Sequence, residues 1–378
     1  MSDFAGNPLA FILSLPRSGS TLLSAMLSGH DAIHAPNEPW ILLALASIYD
    51  CDPLRSGVAR SRHDEIWALK AIRDFLTHDQ FTQASRDFAL SAYQSSLNAV
   101  GKSLFIDKTP RYFHILPWID ELFPHSRKIW LKRNPLDVAA SYLTTWGNTL
   151  GELTGDPIVP RSYDLTIGLR RLADYANNFS GVLEVCYEDI TLDPVPVLEQ
   201  VCAHLKLTYQ PGMVEYNKPS NLAERRQRAL GDKNLYNHSK PHTSSIGRWE
   251  NVFAAADIQW LIDFLGAEIF ERMGYSTTLT RLKSMGVRFP SEYEVAERHA
   301  EILGKTLESP VSALDGAINI ARAYYLEARE RKFPPWFLTL EGWRIRSIKN
   351  KLVSGKKGLV RLYKKKSQTR VCSLNLSR

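Results

Sequence analysis

Four short apolar runs, Leu9 to Leu13, Ser103 to Ile106, Lys128 to Leu131 and Val182 to Tyr187, punctuate the first half of the chain. Each has the length of a buried strand. Between them lie polar-apolar stretches with helical spacing: Ser20 to Ser28, Asp64 to Phe75, Gln83 to Val100, Pro135 to Trp146 and Leu165 to Asn178. Strands separated by helices predict an α/β protein with a mainly parallel central sheet and helices on both faces, because a parallel connection must cross over the sheet. Gly29 is read as the stop of the first helix. After about residue 280 the pattern becomes helical alone, Ser291 to Leu307 and Ser312 to Arg331, before Phe333-Pro334-Pro335-Trp336 and a basic end. The organisation expected is a catalytic domain over 1–280, a helical extension over 281–342 and a basic tail over 343–378, the last disordered or docked on a membrane.

The first strand runs directly into Leu15-Pro16-Arg17-Ser18-Gly19-Ser20-Thr21-Leu22-Leu23 and a helix. A strand, a tight loop and a helix N-terminus present backbone N–H groups and a positive dipole end to an anion. A nucleotide-triphosphate loop would read G-x-x-x-x-G-K-[ST]. Here Gly19 can be the second glycine, but Ser14 and Ser20 stand where the first glycine and the lysine belong. The cradle therefore suits a phosphate ligand other than ATP or GTP, and a nucleotide kinase or NTPase is the rival reading.

Composition narrows the partners. The net charge is +7, yet residues 343–378 hold twelve Lys or Arg and no Asp or Glu, which leaves −5 for residues 1–342. A body of that sign argues against nucleic acid as its ligand. The tail interleaves apolar residues such as Trp343, Ile348 and Leu352 with its basic ones, which suits an anionic membrane surface. A non-catalytic membrane- or nucleic-acid-binding protein acting through that tail is the alternative of a different class. Four cysteines without paired spacing give no metal site, and Cys186 reads as a small buried hydrophobe. Without a spanning segment or secretion signal, the location expected is the cytoplasm, with the membrane periphery as a variant.

A second constellation follows the third strand: Arg133 at its C-terminal edge, Pro135 in the first turn of a helix, and Ser141 eight residues after Arg133. That edge of an open α/β sheet is where ligands bind. Lys108, in Asp107-Lys108-Thr109-Pro110-Arg111, projects from another strand end. Glu38 lies 21 residues after Arg17, bracketed by Pro36 and Pro39. A third segment, Ser245-Ile246-Gly247-Arg248-Trp249, completes the set.

Taken together these residues resemble the sulfotransferase family, whose members use 3′-phosphoadenosine-5′-phosphosulfate (PAPS) and release adenosine 3′,5′-bisphosphate, and whose fold is a P-loop-like three-layer sandwich. The layout is closest to the tyrosylprotein, bacterial and carbohydrate branch. On that resemblance Arg17, Ser18, Gly19, Ser20 and Thr21 match the loop that holds the 5′-phosphosulfate, and Arg133 and Ser141 match the 3′-phosphate site. Residues 245–249 look like the late Gly-x-Trp loop that closes over the nucleotide. The family's Arg-Lys-Gly pattern does not precede Gly247, so Arg248 and Ser245 are both candidates for the 3′-phosphate contact. Lys108 matches the lysine that neutralises the leaving oxygen, and Glu38 the base that takes the acceptor's proton, with His34 as the competing base. The resemblance implies no metal. The Tyr187-Glu188-Asp189 and Asp193-Pro194 carboxylates are read as structural, capping the helix near Pro194 and holding loops. A hydroxyl-bearing acceptor follows, carbohydrate, lipid-linked, phenolic or peptidyl, with an amine as the lesser option. Trp67, Phe75, Phe81, Trp146 and Tyr163 are candidates to line its cleft.

Overall fold

The computed structural model describes residues 8–49, 71, 72, 74–154, 164–179, 181–216, 235 and 238–299. Within them the strands are β1 (Leu9–Leu13), β2 (Ile33–His34), β3 (Leu104–Asp107), β4 (Arg127–Lys132) and β5 (Val182–Cys186). The α-helices are α1 (Ser20–Leu27), α2 (Ile41–Tyr49), α3 (His78–Val100), α4 (Leu116–Leu122), α5 (Pro135–Trp146), α6 (Leu150–Thr154), α7 (Leu169–Asn178), α8 (Tyr187–Leu192) and α9 (Pro194–His204). They continue as α10 (Trp249–Val252), α11 (Ala255–Leu265), α12 (Glu268–Arg272) and α13 (Ser276–Ser284).

All described strand pairs are parallel, and the spatial order is β2-β3-β1-β4-β5. β1 is central and buried along its whole length, as a strand covered on both faces must be. Its alternate residues feed two cores. Phe11 and Leu13 join Phe105, Trp130 and residues of α3, α4, α5 and α7 on one face, whereas Ala10 and Ile12 join Ile106, Ile129, Leu131 and residues of α1 and α9 on the other.

That division positions the site. The chain leaving β1 turns to the α1 face, while the chains leaving its neighbours β3 and β4 turn to the opposite face. A crevice consequently opens at the C-terminal end of β1, flanked by the residues that follow β3 and β4.

β2 was not foreseen; two residues long, it carries too little apolar sequence to stand out. The helix expected from Gln83 begins five residues earlier, where Thr77 and Gln80 form a reciprocal capping box. The helix expected over 165–178 starts with a π-turn, Asp164–Gly168, before α7. Gly29 stands just past the end of α1, as expected of the helix stop, with its N–H on Met26 O at 3.0 Å. Its place is also fixed by a close approach, since a Cβ there would stand 3.0 Å from the Met213 Cα.

Packing continues past residue 280: Leu282 and Val295 are buried, and the His299 ring lies 2.8 Å from the Phe264 carbonyl. The chain divides into a unit of Met1–Ser309, which holds all the described residues, and one of Pro310–Arg378. The expected helix 312–331, the basic tail 343–378 and most of the helix 64–75 lie outside the described residues. Among those described, no helix is long and apolar enough to cross a membrane.

Candidate active site

The anion loop is built by two left-handed residues. Arg17 has φ 66° and Gly19 φ 91°, and between them Ser18 donates its N–H to Leu15 O at 3.3 Å to close a turn. Gly19 has a steric reason beyond its φ: a Cβ there would lie 2.2 Å from Tyr187 Cδ2, so the loop rests directly on that ring. The Ser18 N–H is thereby directed inward. The N–H groups of Gly19, Ser20 and Thr21, at the start of α1, have no carbonyl partner among the described residues and form the open end of the helix dipole.

Arg133 ties the crevice together. Its guanidinium stacks 4.2 Å from the centre of the Tyr187 ring, and donates from Nη1 to Arg17 O at 2.9 Å and from Nη2 to Ser245 O at 2.7 Å. Its Nε is buried with no partner. Arg17 in turn reaches α5, donating from Nε to Ser141 Oγ at 3.0 Å and from Nη2 to Thr145 Oγ1 at 3.2 Å, with its guanidinium 5.5 Å from the Trp146 ring centre. Residues 124 positions apart therefore meet in one pocket.

The late loop is clasped by a residue that the sequence reading passed over. Asp137, buried in the first turn of α5, accepts the N–H of Gly247 at 2.8 Å and of Trp249 at 3.0 Å. Burial pushes its carboxyl above the usual range, against the pull of those amides and of Arg133. Of the two candidates in this loop, Ser245 meets Arg133 through its carbonyl, while the Arg248 side chain is exposed.

On the other flank, Lys108 is fully buried and donates from Nζ to Glu38 Oε1 at 3.0 Å, with Thr21 Oγ1 at 3.5 Å. Glu38 is 13% exposed and its Oε2 accepts from the Trp40 indole at 3.1 Å. His34, the competing base, faces away: it is 2.9 Å from Ser96 Oγ on α3 and edge-on to Phe105.

The hydrogen-bonded groups behind this pair were also missed. Asp107 accepts from Tyr93 and Tyr112, both at 2.6 Å, and from Thr109 at 3.0 Å, and burial pushes its carboxyl up to about 6 despite those donors. Thr109 Oγ1 also accepts the Trp40 N–H at 3.3 Å, which links Asp107 to the Glu38 loop. Farther along, Arg111 forms a two-pronged pair with fully buried Asp164, 3.0 Å from Nε and 2.9 Å from Nη2, and Tyr142 donates to the same carboxylate at 2.7 Å. The signal for these contacts is weak in sequence because the partners stand 53 and 22 residues apart.

The structural carboxylates act differently from expectation in one case. Glu188 does hold loops, accepting from the Asn134 N–H at 3.0 Å and from the Tyr275 hydroxyl at 2.8 Å. Asp193 precedes α9 but makes no capping hydrogen bond with its side chain. Of the candidate cleft aromatics, Phe81 is core, Phe75 and Trp146 are exposed, and Trp67 and Tyr163 lie outside the described residues. Cys186 is half-buried, its thiol pushed up to about 11 by burial, which fits an inert role.

Comparison with known proteins gives the same direction. The profile of the Sulfotransferase family matches residues 8–211. The nodulation protein NoeE of Sinorhizobium fredii is 31% identical over 74% of this chain and 68% of its own length. A putative protein-tyrosine sulfotransferase of Caenorhabditis briggsae is 23% identical, covering 72% of this chain and 91% of that protein. Among solved structures, the sulfotransferase domain of the Synechococcus PCC 7002 olefin synthase is 25% identical, covers 68% of this chain and 93% of that one, and has a TM-score of 0.45. With the profile spanning the loop after β1 through β5 and a 31% identical relative matched over two thirds of its length, the chain belongs to the sulfotransferase family.

Proposed function

We propose that this sulfotransferase moves the sulfo group of PAPS onto a hydroxyl of its acceptor, with Glu38 as general base and Lys108 as the group that neutralises the leaving oxygen. The observation that carries the reading is the single ammonium of Lys108, held between Glu38 Oε1 at 3.0 Å and Thr21 Oγ1 at 3.5 Å. It lies between the carboxylate that would take a proton and the helix terminus that would hold a phosphate. Those are the two ends between which charge moves in the reaction.

The residues present fit such a nucleotide. The open N–H groups of Gly19, Ser20 and Thr21 suit a 5′-phosphate, and the partnerless buried Nε of Arg133, next to Arg17, whose side chain reaches Ser141, suits a 3′-phosphate. The nucleotide supplies an activated sulfo group. Glu38 accepts the acceptor's proton as the new oxygen–sulfur bond forms, a role worth about 10²- to 10⁴-fold in rate. The bridging sulfur–oxygen bond breaks, and the electron pair goes to the 5′-phosphate of adenosine 3′,5′-bisphosphate. Lys108, the Arg17 loop and the start of α1 stabilise that charge before it develops, which is electrostatic preorganisation. Asp137 holds the 245–249 loop over the crevice.

The test is incubation of the full chain with PAPS and a broad acceptor panel, read by mass spectrometry for sulfated product. Thermal shift with adenosine 3′,5′-bisphosphate against Mg-ATP separates this reading from a kinase or NTPase, since a saturating ligand adds about 3 kcal/mol at a hundred times its Kd. Stabilisation by Mg-ATP alone would reject the proposal.

A further inference from the structure

We propose that Arg111 is the acceptor-recognising residue of this enzyme, and that it takes an oxygen adjacent to the reacting hydroxyl of a neutral, hydroxyl-rich acceptor. This deepens the reading above and rests on it.

The argument starts from how Arg111 is held. Its Nε and Nη2 are both engaged by Asp164, a carboxylate with no exposure of its own that is fixed in turn by the Tyr142 hydroxyl. This fork-to-fork geometry immobilises a guanidinium as lysine could not. The Nη1 edge has no hydrogen-bond partner among the described residues, and a quarter of the side chain is exposed. A rigid donor edge thus remains available to a ligand. Its neighbourhood is the base: burial works against the Arg111 charge, but Asp164, then Tyr142 and Glu38, outweigh it and raise its pKa. Arg111 also follows Lys108 by three residues on the same loop, so one segment supplies both cations near Glu38.

Charge decides the class of acceptor. Among the described residues of this flank, Lys108 is matched by Glu38 and Arg111 by Asp164, so both of these cations are held in closed ion pairs. On the other flank Arg133 spends its guanidinium on two carbonyls, which leaves its charge for the nucleotide. An acidic acceptor would be brought against Glu38, Asp164 and an anionic co-substrate with Lys108 and Arg111 already paired. A neutral acceptor with a second oxygen beside the nucleophile meets no such penalty. It offers Nη1 a lone pair while its reacting hydroxyl faces Glu38.

The experiment uses the full chain, PAPS and four probes: a 4-nitrophenyl glycoside panel with adjacent hydroxyls, the matched single-deoxy glycosides, 4-nitrophenyl glucuronide, and a tyrosine peptide flanked by aspartates. Initial sulfation rates give kcat/KM for wild type and for Arg111→Lys, which keeps a cation on Asp164 but not the fork. A buried donor left unpaired is costly, so wild type should prefer an adjacent diol over its deoxy partner by at least about tenfold. In Arg111→Lys the preference should fall to within about threefold, through KM, because substrate and enzyme then lack the same bond. The deoxy comparison in wild type needs no variant to fold. Preferred sulfation of the glucuronide or the acidic peptide, no sulfation of any neutral glycoside, or an unchanged diol preference in Arg111→Lys would each overturn the proposal. Calorimetry with adenosine 3′,5′-bisphosphate tells the two readings apart. Nucleotide binding without diol preference overturns the assignment of Arg111 alone, and absence of nucleotide binding overturns both.

Discussion

Glu38→Gln separates the chemistry from the architecture. Glu38 receives two hydrogen bonds, from Lys108 at 3.0 Å and from the Trp40 indole at 3.1 Å. Glutamine keeps the shape and one acceptor oxygen but loses the charge and the ability to take a proton. Loss of a general base costs about 10²- to 10⁴-fold in turnover, or about 3–5 kcal/mol of barrier. The fold also loses something, because Lys108 is wholly buried and would face an amide oxygen where it now meets a carboxylate. Breaking a buried pair outright costs about 3–5 kcal/mol. With one hydrogen bond retained, the loss should be nearer the 1.5–3 kcal/mol or so of a single bond to a charged group. The assay pairs single-turnover sulfation, followed by mass spectrometry, with calorimetry of adenosine 3′,5′-bisphosphate and a thermal melt. Turnover should collapse while nucleotide affinity stays within about threefold, since no hydrogen bond of Glu38 reaches the Arg133 pocket. Turnover within a few-fold of wild type would refute Glu38 as the base, whatever the melt shows.

Gly19→Ala places a Cβ 2.2 Å from the Tyr187 ring at φ 91°, so the ring and the Arg133 stacked on it must move; at least about a tenfold loss of nucleotide affinity is expected by calorimetry, on top of about 1–2 kcal/mol of backbone strain. Asp137→Asn sets an amide group against one of two buried N–H donors at Gly247 and Trp249, a defect of about 1–3 kcal/mol, and stopped-flow should show adenosine 3′,5′-bisphosphate leaving about tenfold faster or more. Asp107 titrates near 6 when folded against an ordinary 3.8, so the native state holds its proton more tightly than the unfolded chain. Its contribution to stability is fully present below about pH 4 and is lost as pH rises through about 6, by about 3 kcal/mol in all. Denaturant melts should show wild type losing most of that, about 2 kcal/mol, relative to Asp107→Asn between pH 4 and 7, and parallel profiles would contradict the assignment.

The parts of this molecule that could be read from the chain are those whose cause is local. β1 and α5 fall on Leu9–Leu13 and Pro135–Trp146 as expected, because an apolar run in a central parallel strand and a proline in a first helical turn announce themselves within a few residues. The start of α3 was equally local, yet the Thr77…Gln80 box went unread. What escaped depends on partners distant in sequence. Nothing near Asp107 says that Tyr93 and Tyr112 will enclose it, nothing near Arg111 points to Asp164, and the service of Asp137 to a loop 110 residues later exists only in three dimensions. The same holds for Arg17, whose side chain the motif places in a phosphate loop and the fold sends across to Ser141 and Thr145.

The central claim is that two basic pockets at the end of β1 grip opposite ends of one doubly phosphorylated adenosine. A crystal structure of the full chain with adenosine 3′,5′-bisphosphate tests it most directly. The account predicts the 5′-phosphate on the N–H groups of Gly19 to Thr21 beside Lys108, and the 3′-phosphate on Arg133 and Ser141. A nucleotide seated elsewhere, or one whose 3′-phosphate touches neither residue, would contradict it.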